Sequence, residues 1–215
     1  MLSRRPRRTK HLLHDRRGTA AVEFAVILPL LLAIWAGMTE LAHAMDEWRK
    51  LTLLARTVAD LTAQGDTKNP ISTPLMTDIL ASATTVMRPF NTANARIVVS
   101  AMGVGLSGAT QIPTVCSSYA SGNATPRSTG LATGLTVPPG YQILGMRYVL
   151  AEVSIPYAPM IGGALVKLAK GVNGTITFSS VVPWPTRGGK TYGNNIYTEV
   201  VLPGTNAAAC DGSTP

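Results

Sequence analysis

Histidine is nearly missing from this chain of 215 residues, and where it is missing matters most. All three (His11, His14, His43) precede residue 45. The remaining stretch therefore lacks the base for a Ser-His-Asp or Cys-His mechanism and the imidazoles of a common zinc site. Acids are scarce too: from Thr67 onward there are only Asp78, Glu152, Glu199 and Asp211. Glu152 and Glu199 are the one carboxylate pair available for glycosidase chemistry, and each fits a solvent-facing strand position equally well. The sequence carries no internal repeat, and the 2 cysteines, Cys116 and Cys210, form no metal-binding motif. Enzymatic activity, a metal and a cofactor are not expected.

The positive charge is confined. Residues 1–17 hold seven of the 19 Lys+Arg (Arg4, Arg5, Arg7, Arg8, Lys10, Arg16, Arg17) against Asp15 alone, so they supply +6 of the formal +8. The rest is nearly balanced, 12 basic to 10 acidic. The tail has no aromatic side chain for stacking on bases, so nucleic acid is not the expected partner. It adjoins an apolar run instead. Phe24 to Thr39 is uncharged, and only Glu23 interrupts the stretch from Thr19. A helix over Thr19–Thr39 would be about 31 Å long, enough to cross the hydrocarbon of a bilayer. Basic residues on one flank place the N-terminus in the cytoplasm and the rest outside. The organisation expected is a basic leader (1–17), a transmembrane helix (18–40) and an extracytoplasmic domain (41–215). Pro29 inside the span removes one backbone donor, which membrane helices tolerate.

An acid within a membrane span is a functional candidate by default. Gly18, four residues, then Glu23-Phe24 is the pattern of the prepilin-peptidase site in type IV and Flp pilins. The wider run RRGTAAVEFAVILPLLL, within Arg16 to Met45, resembles the N-terminus of TadE-like proteins, minor pseudopilins of the tight-adherence (Flp pilus) system. The resemblance implies cleavage between Gly18 and Thr19 by a prepilin peptidase. It also implies pairing of Glu23, then the fifth residue, with the free amino terminus of a neighbouring subunit, with Phe24 beside that contact. Two buried charges offset each other only when both are present. The resemblance further implies the bacterial inner membrane as location, and pilin or pseudopilin subunits, pilus-assembly proteins and the lipid bilayer as partners. Thr19 departs from the Phe or Met that begins many mature type IV pilins. The competing expectation is a secretory signal peptide. Ala42-His43-Ala44 fits a small-x-small cut that would release a periplasmic or secreted binding protein beginning at Met45.

Beyond the span, Trp48, Leu51, Leu54, Val58 and Leu61 recur at helical spacing, with charges mostly opposite. With no breaker before them, one long helix is expected, stopped at Gly65. Ser72-Thr73-Pro74 starts a second helix to about Met87, with Met76, Leu80, Ala83 and Met87 on one face. Strands are expected at 97–102, 142–155, 175–182 and 196–202, with Pro156 ending the longest, and a short helical connection at 160–170. Residues 103–140, rich in Gly, Ser, Thr and Pro, read as a long loop. The GVGLSG at Gly103 to Gly108 matches a dinucleotide fingerprint but lacks a following helix and an acid about 20 residues on, so it is a glycine-rich turn. Two exported thiols are expected to join as a Cys116–Cys210 disulfide. The fold class expected is α+β: a long N-terminal helix, a second helix and a small antiparallel sheet of pilin-like outline.

Overall fold

The computed structural model describes residues 19–65, 70–160, 163, 175–204 and 210. Helix α1 runs unbroken over Thr19–Ala63, 45 residues, through Pro29, about 67 Å in length. It stops where expected: Gly65 adopts a positive φ of 35°, a conformation glycine enters without steric penalty. The carbonyl of Ala63 accepts bonds from the backbone N–H groups of Arg187 and Gly188 (2.9 and 3.1 Å), which occupies an end group the helix itself leaves open. Helix α2, Thr73–Ala81, is capped by the Ser72 hydroxyl accepting from the Leu75 N–H. The expected second helix is divided, for a four-residue turn, α3 (Ala83–Val86), follows at Ser82. The anticipated face survives the break: Met76, Leu80, Ala83 and Met87 are all buried.

Among the described residues the strands are β1 (Arg96–Ser107), β2 (Thr110–Ala120), β3 (Gly130–Leu131), β4 (Arg147–Tyr157) and β5 (Ile176–Pro185). They form one antiparallel sheet in the order β3-β2-β1-β4-β5. The fold class is α+β, as expected. The sheet alternates as a two-faced sheet must. Ile97, Val99, Val149, Val153 and Ile155 point at Leu51, Leu54 and Val58 of α1 and at α2. Met102, Val104, Tyr148 and Leu150 point the other way, beneath Ala132 and Val137 of the β2–β4 connection.

Several expectations need correction. Residues 103–140 are not one loop: β1 continues through Ser107, turns, and returns as β2. Thr110, Ile112, Thr114 and Val115 carry the strand propensity there, and the surrounding Gly, Ser and Pro mask it in composition. Pro113 is accommodated beside the short β3, which pairs with Thr114 and Val115: its carbonyl accepts from the Ala132 N–H (2.9 Å), and proline can accept where it cannot donate. The irregular part is the 121–146 connection, with β3 inside it. β4 starts at Arg147, five residues later than expected, and runs through Pro156 to Tyr157. Pro156 lies past the last β1 pair, Arg96 with Ser154, where β4 has only β5 beside it. Residues 196–202 make a single bridge, Lys190 with Glu199, in place of a strand. Of the amphipathic stripe, Leu51, Leu54 and Val58 are fully buried, but Trp48 is 53% and Leu61 36% exposed. The connection expected at 160–170 falls mainly outside the described residues.

Candidate functional site: the apolar helix and its neck

Below Thr39, among the described residues, no side chain of α1 is buried. Val22, Phe24, Val26, Ile27, Leu30, Ile34, Trp35 and Met38 are all about half exposed or more. The helix is long and apolar enough to cross a membrane. Thr39, the polar residue at its upper end, turns its hydroxyl back onto the carbonyls of Trp35 and Ala36 (3.2 and 2.9 Å). Glu23 sits one turn into the helix, exposed beside exposed Phe24, and shares a face with Ile27, Leu30 and Ile34 by their spacing of four, seven and eleven. Thr19 is the first described residue; Gly18 lies outside the described residues.

Just above Thr39 the helix meets the domain. The Glu40 carboxylate accepts from the Tyr157 hydroxyl and from the Met160 backbone N–H (3.0 Å). Burial, then the bond to Glu40, pushes the Tyr157 hydroxyl well above the usual tyrosine range. His43 packs on Phe90 with ring centroids 5.3 Å apart. Lys50 stands over the Phe90 ring, donates to the Arg88 carbonyl and pairs with Asp46 at 3.6 Å. Glu47 is buried on the domain side. Desolvation raises its pKa, with the nearby His43 opposing. Farther out, Asp60 accepts from the Trp184 indole (2.9 Å) and pairs with Arg187. Sequence reasoning missed this neck. Its one signal was position: Glu40 is the first charge after the uncharged run.

The far end of the sheet is tied down covalently. Cys116 and Cys210 are joined, S–S 2.02 Å, across a sequence separation of 94 residues, and both are buried. Beside the bridge lies Arg147. Its guanidinium donates to Glu199 (3.2 Å), to the Gly145 carbonyl (3.3 Å) and to the Cys210 carbonyl. Glycine at 103 leaves room for the guanidinium where it lies, since a Cβ there would meet the Arg147 Nη1 at 2.6 Å and displace it. Glu199 is thus a buried partner of Arg147 and does not occupy the solvent-facing position expected of it. A lone arginine at the head of an apolar run was the available signal. The Glu199 carboxylate and the two sulfurs lie within 4.8 Å of one another, but sulfurs in a disulfide are not thiolate ligands. Glu152 is held two-pronged by Arg127 (2.5 and 2.7 Å) on the opposite face of the sheet from α1. The two carboxylates considered for glycosidase chemistry are therefore each engaged by a different arginine.

A helix bare at one end and seated at the other is the geometry on which family comparison bears. Residues 18–60 match the model of the TadE-like protein family. The match begins at Gly18 and covers the span, the neck and most of the seated helix; the sheet lies beyond it. It agrees with the resemblance carried by the run at Arg16 to Met45. No curated protein and no solved structure matches this chain.

Proposed function

We propose that this protein is a single-pass membrane component of the tight-adherence (Flp) pilus system, a minor pseudopilin or assembly factor that acts by subunit contact and not by catalysis. In this scheme the N-terminus lies in the cytoplasm, α1 crosses the bacterial inner membrane, and the sheet domain stands in the periplasm. Glu23 meets a positive group of a neighbouring subunit within the lipid, and the outer domain presents a surface to other assembly proteins. The TadE-like match over 18–60 supports the pilus context. The observation that carries the anchored form is the Glu40 contact with Tyr157 and Met160. A signal-peptidase cut after Ala44 would discard Glu40 and His43 and leave Tyr157, Met160 and Phe90 without these contacts, although the seat at Leu51, Leu54 and Val58 would remain.

N-terminal sequencing of the protein taken from its native membrane tests this. A chain starting at Thr19 supports processing by prepilin peptidase; a chain starting at Met45 overturns the anchored form. An intact Met1 removes the processing step and leaves the anchor. Glu23→Gln should leave insertion into the membrane unchanged and lower assembled pilus by about tenfold or more, the scale of one charge-assisted hydrogen bond. Assembly at the wild-type level would remove the role given to Glu23.

A further inference from the structure

Three exposed apolar side chains continue the lipid-facing side of α1 past the end of the span. Leu41 (62% exposed), Met45 (49%) and Trp48 (53%) are four and three residues apart, hence stacked on one face. That face continues the line of Ile27, Leu30, Ile34 and Met38 below. It lies roughly 120° around the helix from the centre of the Glu47, Leu51, Leu54 and Val58 side, taking 100° per residue. The sheet domain therefore does not cover it, and a helix standing in water has no use for it.

We infer that this stripe rests on the outer leaflet, so that α1 leans toward it and the domain is held to one side at the lipid surface. Trp48 emerges about 13 Å along the axis beyond Thr39. Were the helix upright, the indole would stand clear of the headgroup layer, which is about 5–8 Å deep. A lean of about 30°, within the usual range for membrane helices, lowers the tip of a side chain on the underside to about 8 Å. Leu41 and Met45 then sit lower still. Tryptophan is the residue that favours this layer, with an apolar body and a polar N–H. Arg49, exposed next to the stripe, is placed to meet lipid phosphate.

A second observation, from a different element, marks the same level. Met160 is 75% exposed, and its backbone N–H is fixed to Glu40 at the top of the span. The lower rim of the domain thus also turns an apolar side chain out at lipid height. A second copy of the chain packed along the stripe would account for Leu41, Met45 and Trp48 but not for Met160 on the rim.

The inference rests on α1 spanning the membrane, and tryptophan fluorescence separates the two claims. The full-length protein is placed in vesicles of phosphatidylcholine and phosphatidylglycerol whose phosphatidylcholine carries a nitroxide quencher, either on the headgroup or on the acyl chains. Trp35→Phe leaves Trp48 and the domain's Trp184 as emitters. With the nitroxide on the headgroup it should lose roughly a third of its emission, since an interfacial indole lies at that level. Trp35→Phe/Trp48→Phe should lose none, since Trp184 is bonded to Asp60, about 31 Å along α1 beyond Thr39. Trp48→Phe, which keeps Trp35, reports the span through the nitroxide on the acyl chains. If that variant is quenched and Trp35→Phe is not, the leaning stripe is wrong and the anchor stands. If neither is quenched, the span fails and takes the inference with it. Trp48 emission that shifts with protein-to-lipid ratio and ignores the headgroup nitroxide would assign the stripe to a second copy and overturn the lipid contact.

Discussion

Above and below Thr39 one continuous helix disposes its apolar side chains in different ways. In Thr19–Thr39 every face is open and, Glu23 apart, apolar, which is what a helix surrounded by lipid requires. From Glu40 to Ala63 the side bearing Leu51, Leu54 and Val58 disappears against β4, β5 and α2, while Leu41, Met45 and Trp48 stay exposed on another. No change of backbone marks the transition. The change lies in which positions carry charge, so one helix holds both an open apolar length and the domain's seat.

The sharpest way to divide the halves is to cut the bridge at the far end. Cys116→Ala/Cys210→Ala should lower the stability of the outer domain by about 4–5 kcal/mol, the chain-entropy value for a loop of this size. Membrane association should be untouched. Thermal unfolding followed by tryptophan emission measures the first and flotation with lipid the second. Loss of flotation would mean that the two halves are not separable. Next in size, Leu54→Ala should cost about 2–5 kcal/mol, because a fully buried side chain leaves a cavity among close-packed neighbours. Leu30→Ala, the same chemistry in the bare half, should leave the melting of the domain unchanged. Equal effects at the two sites would erase the distinction.

The smallest effect tests the boundary itself. Burial raises the Glu47 pKa in the folded domain, so as pH rises the unfolded chain gives up its proton first. Stability is therefore undiminished below the usual glutamate value, about 4.3. It falls as pH climbs through the folded value and stays lower above it. Glu47→Gln should raise the melting temperature by a few degrees at neutral pH, and the gain should vanish near pH 4. A gain that persisted in acid would trace to packing and not to charge.

The halves were unequally legible in the sequence. The long apolar helix, its continuation past Thr39, the stop at Gly65, the capped start at Ser72 and the Cys116–Cys210 bridge follow from local rules, for each depends on residues near in sequence or on a choice with few alternatives. The hairpin of β1 and β2 did not, since its strand formers are interleaved with Gly, Ser and Pro that dilute any windowed signal. Glu199 was misplaced for a different reason. Its burial depends on Arg147, 52 residues earlier, and on a glycine at 103 that leaves room for the guanidinium. Trp48 went wrong through periodicity: it keeps helical step with Leu51 and Leu54, yet lies on the flank of the buried side, where the sheet does not reach.

Since α1 runs unbroken from Glu23, through Pro29, to its seat on the sheet, a helix that spans lipid as proposed would tie the compass bearing of the outer domain to that of the submerged acid. Anything that grips the domain from outside and turns it about the membrane normal would then also choose which neighbour the carboxylate faces, a screwdriver shaft worked from the handle.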